Sequence, residues 1–299
     1  MNTVCARDKP KSLPWRSPEF SHAWIDFRDI QDRFMWEKKS DYFDFLARDG
    51  IDIHLNTQTV NVRVEGKLRL VDLVRDDETR TVTVDQILVG VGRVPNVEGL
   101  NLEAASVEYD GEMGIRINDF MQTTNPRIYA AGDVCFEHKF IHIEDASAGI
   151  VVQNALFWRR KRLSALAIPW CTYTDPEIAH VGLYVRDALV KNIPVKTFTV
   201  LMHDVDRAIT DGEEEGFIKI HVKEDTDKIL GATVVGRHAS EMINNFSLAI
   251  ASGIGLRSLA RVVQAYPTQS EAIKMAADAY NATRLTPALK RLLKLWLAW

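Results

Sequence analysis

Between Thr59 and Val74 the chain reads TVNVRVEGKLRLVDLV, apolar at alternate positions on either side of Glu65-Gly66. A period of two predicts strands, and the glycine at the break predicts a hairpin turn. TVTVDQILVGVG, from Thr81, predicts one further strand with a buried end. Upstream, Tyr42, Phe43, Phe45 and Leu46 stripe a short helix that Gly50 can stop, and IDIHL resumes as a strand. Strand patterns at GIRIND and NPRIYAAGD precede a helical pattern from about Glu144 to Phe157. That helix runs out into Arg159, Arg160, Lys161 and Arg162, cations where a helix dipole favours them.

After Pro169 the texture changes. VKTFTVLM, GFIKIHVKED and KILGATVVG alternate with charged turns, predicting a meander with one covered face. Helical patterns follow in ASEMINNFSLAIASG, GLRSLARVV and SEAIKMAADAYNATR, and strands followed by helices predict an α+β domain. The last stretch, TPALKRLLKLWLAW, predicts a helix with Thr286 as N-cap and Pro287 in its first turn. Residues 1–36 have no sustained period, and there is no internal repeat.

Composition adds limits. The 299 residues are 46% hydrophobic, enough for two or more cores, and the net charge of −4 argues against a general nucleic-acid binder. No apolar run reaches the ~18 residues of a membrane span. The opening stretch lacks the apolar segment of a secretory signal. Three cysteines, Cys5, Cys135 and Cys171, are a sparse, odd set that fits a reducing cytoplasm, and no two stand in a CxxC or CxxxxC pair. Cys135 and Cys171 are expected to be buried, inert thiols.

One stretch carries candidate chemistry. RIYAAGD predicts a strand whose small residues Ala130, Ala131 and Gly132 let a ligand approach the backbone, with Asp133 offering acceptor oxygens to a ribose or ribityl hydroxyl. The helix after it would turn positive-end amides toward the same place. A solvated turn aspartate after an edge strand is the plainer alternative. His138 and His142 have a metal-capable spacing, but no third ligand is apparent. Gly212–Gly216 (GEEEG) is expected to be a solvated turn.

Five collinear stretches change the balance: ILVGVGRVPNVEGLNLE, IRINDFMQTTNPRIYAAGDV, IPWCTYTDPEIAHVGL, GFIKIHVKEDTDKILGATVVGRHASEMI and YPTQSEAIKMAADAYNATRLTP. From about Asp41 to the end, the chain resembles the C-terminal half of the class I pyridine nucleotide–disulfide oxidoreductases, in particular the mercuric reductase-like members. The resemblance implies an α/β remnant of FAD- and NAD(P)-binding domains joined to an α+β dimerisation domain. By it, 37–98 is a partial NAD(P)-binding domain, 99–167 the C-terminal part of the FAD-binding domain, 168–285 the dimerisation domain and 286–299 an amphipathic helix, with 1–36 outside the match. Gly92 and Arg93 then belong to the GRxPN junction, and Gly132 and Asp133 to the second flavin motif, whose aspartate bonds the ribityl chain. His142 and Asp145 begin the helix that faces the flavin ring.

The resemblance also implies FAD and NAD(P)H as cofactors, a homodimer, and a His-Pro-Thr…Glu dyad as acid–base pair. Here Tyr266 stands in the histidine position, with Glu271 completing the motif. A phenol near pKa ~10 is a poorer base than an imidazole near ~6.5, so the usual thiol–imidazole chemistry is not expected. Tyr266 is read either as a hydrogen-bonding phenol at the site or as an interface aromatic. The family's CxxxxC and both GxGxxG fingerprints do not occur in the sequence. The expectation is a truncated form of such an FAD-dependent NAD(P)H oxidoreductase, active or inactive, with weak or no flavin binding. A non-catalytic homodimerisation module is the alternative reading. The last helix, with Lys290, Arg291 and Lys294 against Leu289, Leu292, Leu293, Trp296 and Trp299, suits weak contact with an acidic membrane surface or packing on protein.

Overall fold

The computed structural model describes residues 3–6, 47–48, 50–54, 56–90, 92–136, 139–157, 160–286, 290–291 and 294–296. The chain divides into two units, Met1–Arg116 with Thr123–Phe140, and Ile117–Gln122 with Ile141–Trp299. The expected stripe Tyr42, Phe43, Phe45 and Leu46 lies outside the described residues, whereas Gly50, at φ +77°, bonds back to the Ala47 carbonyl as a helix stop does.

In the first unit, β1 (Thr3–Ala6) pairs with β5 (Gln86–Val89), and β2 (Gln58–Glu65), β3 (Leu68–Arg75) and β4 (Glu78–Val84) form a three-stranded meander. The predicted hairpin is present: β2 and β3 pair antiparallel across the Gly66-Lys67 turn, Gly66 at φ +63°. Alternation puts Val71, Leu73 and Val84 into a small core, with Val82 and Ile87 packed against it. On the other face Asp72 accepts hydrogen bonds from Thr81 (2.7 Å), Asn61 (3.1 Å) and Arg63 (3.0 Å), which hold its carboxyl below the usual range, Thr81 foremost.

Two strand expectations need correction. The segment from Thr81 is two strands: the chain breaks at Asp85, whose carbonyl accepts a bond from the Arg69 guanidinium, and β5 leaves to pair with β1. Its end, Leu88 and Val89, is exposed rather than buried. The described residues 51–54 of IDIHL, and IYAAGD, shrink to single bridge residues at Asp52 and Tyr129, Leu55 lying outside the described residues. Every strand pair among the described residues is antiparallel, so no parallel neighbour extends either segment. GIRIND contributes only β7 (Gly114–Ile115), paired with β6 (Tyr109–Asp110).

The second unit follows its predicted order, but GLRSLARVV shortens to four helical residues and the sheet is covered on both faces, Ile178, His180, His221 and Val235 being buried on the second. Helix α1 (Ile141–Leu156) starts slightly before the expected Glu144. A five-stranded antiparallel sheet has the order β10-β11-β12-β9-β8, from β8 (Pro169–Thr172), β9 (Glu177–Gly182), β10 (Val195–Leu201), β11 (Phe217–Lys223) and β12 (Ile229–Gly236). Short helices α2 (Val185–Val190) and α3 (Asp206–Asp211) flank β10 in sequence. They are followed after the sheet by α4 (Ala239–Ala251), α5 (Leu256–Leu259) and α6 (Glu271–Thr283).

Alternation sends Ala179, Val181, Phe198, Val200, Ile218, Ile220, Ala232 and Val234 to one face. Helix α4 meets it with Ala239, Met242, Ile243, Phe246 and Ala249, and α6 with Ala272, Ile273, Ala276 and Ala277. Spacings of three and four residues put those side chains on one stripe of each helix. Phe198 and Tyr280 close the packing edge to face, 5.6 Å between ring centroids.

The opposite sheet face is more polar, and the register explains which residues meet there. His180 pairs with Thr233, and His221 lies between Gly231 and Thr197. His180 is only 2% exposed, stacked on Tyr184 at 3.7 Å, and its Nε2–H donates to the Gly182 carbonyl (3.1 Å). Nδ1 is then left to accept from the Thr233 hydroxyl (2.8 Å). His221 is likewise buried, with Nδ1 2.8 Å from the Thr197 hydroxyl.

Candidate functional site

The Asp133 turn is built within the first unit. Gly114 sits at φ +86° with its backbone against Val134, where a Cβ would fall 2.1 Å from the Val134 carbonyl oxygen. That contact lets the Ile115 amide donate to the same oxygen (2.8 Å), pinning the turn that carries Asp133. Gly132, at φ +82°, reverses the chain, and Ala130 is buried behind it. Asp133 is therefore not out in bulk solvent: its side chain is 29% exposed, and Arg93 Nη1 donates to Oδ2 at 2.5 Å. The predicted Arg93 and Asp133 are thus brought together although 40 residues apart. Gly92, at φ +85°, supplies the bend before Arg93.

Asp133 Oδ1 is buried and Oδ2 accepts from Arg93, whose half-exposed guanidinium is of a type that donates to phosphate oxygens. Asp133 and Arg93 are the residues that would hold the hydroxyl- and phosphate-bearing part of FAD. No glycine-rich strand-to-helix turn of the kind that takes a dinucleotide pyrophosphate occurs among the described residues.

His142 and Asp145 lie in the first turns of α1, both exposed. The His142 ring donates from Nε2 to the Pro169 carbonyl (2.7 Å), a bond from the helix start to β8. His138, the other half of the metal spacing, lies outside the described residues, and among those described no metal-capable cluster of His, Cys, Asp and Glu is present.

In the second unit Tyr266 follows the exposed Val262 and Val263 and is itself 69% exposed. Its hydroxyl donates to Asp206 Oδ2 (2.8 Å), across 60 residues of sequence, and that bond with the Asp206 charge raises the phenol's pKa. Glu271, the expected dyad partner, opens α6 and adds only a more distant charge. The motif therefore places Tyr266 against a carboxylate that no local pattern indicates. Asp206 is one acid in the ordinary-looking stretch HDVDRAITD.

Gln269, between Thr268 and Ser270, is buried at 6% exposure, with neither side-chain polar atom bonded to a protein group. Cys135 and Cys171 are free and half-buried, and burial pushes both thiols up to about 12. The described part of the last helix has Leu295 and Trp296 exposed; Leu289, Leu292, Leu293 and Trp299 lie outside the described residues. No described helix is long and apolar enough to cross a membrane.

A flavin-motif turn in one unit and, in the other, an antiparallel sheet backed by helices with the Tyr266 loop define a nucleotide-binding fragment joined to an interface domain. The chain belongs to the pyridine nucleotide-disulphide oxidoreductase family. The pattern of its nucleotide-binding region matches residues 30–155, and that of its dimerisation domain matches residues 168–277. A mercuric reductase of Lysinibacillus sphaericus is 34% identical over 79% of this chain and 43% of its own length. A dihydrolipoyl dehydrogenase of Buchnera aphidicola subsp. Baizongia pistaciae is 31% identical over 86% of this chain and 52% of its own. Among solved structures, LpdA of Mycobacterium tuberculosis superposes with a TM-score of 0.74 at 26% identity, covering 81% of this chain and 52% of that one. The chain spans about half the length of these relatives.

Proposed function

We propose that this chain supplies the interface domain and part of the flavin site of an FAD-dependent NAD(P)H oxidoreductase that works as a homodimer. The observation that carries the reading is the Arg93–Asp133 pair on the Gly132 turn, at the positions the family's flavin motif and GRxPN junction occupy. FAD, when bound, supplies the electron transfer. The chain's own contribution is to hold hydroxyl and phosphate groups at Asp133 and Arg93; His142 and Asp145, on α1, are the further residues that the family resemblance assigns to the cofactor. The boundaries 37–98, 99–167 and 168–285 divide the nicotinamide, flavin and interface portions. Electrons would pass to a sulfur or metal substrate, the relatives being mercuric reductases and dihydrolipoyl dehydrogenases.

Tyr266, on the loop beside the exposed Val262 and Val263 that a second copy would cover, and Glu271, at the start of α6, border that substrate in this reading. The thiols favour a second reading, the non-catalytic homodimerisation module. Neither described cysteine has an environment that yields a thiolate near neutral pH, and the interface core is fully packed.

A visible spectrum of the purified chain before and after anaerobic NADPH, with sedimentation velocity on the same sample, separates the two. Flavin absorbance near stoichiometry that bleaches with NADPH supports the oxidoreductase. A flavin-free dimer supports the module, and a flavin-free monomer overturns both.

A further inference from the structure

We propose that Asp206 is a positioning residue for Tyr266, turning the phenol so that its oxygen meets an incoming group as a hydrogen-bond acceptor rather than a donor. The inference deepens the reading above, since it assumes that the Tyr266 loop borders a substrate. It starts from a rigid anchor. Asp206 opens α3 between Val205 and Ala208, both fully buried, and the Ile209 amide bonds back to the Val205 carbonyl. Its neighbour Arg207 is committed to Asp211, Nε to Oδ2 at 2.7 Å, and so stays with its own helix.

The loop on the other side is also tied down. The Thr268 hydroxyl donates to the Ala265 carbonyl (2.8 Å), and the Ala272 amide donates to the Gln269 carbonyl (3.2 Å). The Tyr266 side chain itself is held at its hydroxyl, where the 2.8 Å bond to Asp206 sets the direction of the O–H.

A phenol has one proton to give and two lone pairs. With the proton spent on Asp206, the exposed side of the oxygen presents lone pairs. Asp206 and Glu271, the carboxylates whose charges act on the phenol, make its surroundings negative. Tyr266 therefore suits a partner that brings its own proton or positive charge, such as a thiol or an ammonium group, and disfavours an anionic one. In this arrangement it does not take up a proton as an imidazole would.

The test is an ultraviolet titration of tyrosinate, in which the difference between the unmodified chain and Tyr266→Phe isolates Tyr266 from the other tyrosines. The transition of Tyr266 is expected at higher pH than that of a free tyrosine. It should move to lower pH in Asp206→Asn and return toward the original in Asp206→Glu. Circular dichroism checks the fold, and Asp206→Ser serves in the same comparison should the asparagine variant not fold. A Tyr266 transition unchanged in the asparagine or serine variant overturns the proposal. A sample without flavin or without a dimer would sink the oxidoreductase reading yet leave this titration interpretable.

Discussion

The two buried histidines of the interface sheet should make this chain acid-labile within a defined pH window. Desolvation lowers both His180 and His221 from 6.5 to about 4, since an imidazolium at either position would carry its charge without water around it. At His180 the Gly182 bond opposes the shift and the nearby His221 adds to it. A histidine with a depressed folded pKa stabilises the native state fully above its unfolded pKa, and the contribution is lost as pH falls toward the folded value. Stability should thus be level above pH ~6.5, fall between ~6.5 and ~4, and lose roughly 2 kcal/mol per histidine by pH 5. The exposures, 2% and 6%, leave little room for solvent screening. Urea unfolding followed by circular dichroism at half-unit pH steps reads the effect as a falling midpoint. The variant His180→Gln/His221→Gln should have lower stability at pH 7.5 and a much flatter profile down to pH 5. Equal slopes in the two proteins, or a level profile in the unmodified chain, would refute the reasoning.

Three further outcomes follow from particular contacts. Gln269→Met removes two buried polar atoms that have no protein partner and keeps the volume, so it should raise stability by about 1–3 kcal/mol in urea unfolding; a loss of stability would mean the amide is satisfied by water. Gly114→Ala puts a side chain at φ +86° and against the Val134 carbonyl, costing about 1–3 kcal/mol from the backbone alone. Because Val134 follows Asp133, the same variant should hold less flavin, read by absorbance ratio in the purified protein. Val263→Asp places a charge on an apolar residue that is 94% exposed. It should shift sedimentation toward the monomer without changing the unfolding midpoint at low concentration, and an unchanged dimer would remove this residue from the interface.

Much of the interface domain was legible from local pattern. The stripe Met242, Ile243, Phe246, Ala249 and the alternation through Ile218, Ile220 and Val222 each report on burial within one element. A single helix or strand must hide its apolar face whatever its neighbours are, so the pattern can be read without them. The hairpin at Gly66 was legible from the glycine between two alternating runs, although Val60, Val62 and Val64 of β2 are exposed. Strands that depend on a neighbour were not: IYAAGD and IDIHL carry the composition of strands, yet without parallel partners among the described residues they reduce to single bridges.

Local chemistry divides in the same way. The order of short motifs along the chain determined the family and singled out Arg93, Asp133 and Tyr266, because each sits in a stretch whose spacing is itself the signal. Which groups those side chains meet was decided only in three dimensions. Arg93 reaches Asp133 across 40 residues, Tyr266 turns to Asp206 across 60, and His180 meets Thr233 across 53. A hydrogen bond between distant positions leaves no periodicity in either segment. Sequence alone thus singled out Arg93, Asp133 and Tyr266, and the tertiary structure decided which groups they meet.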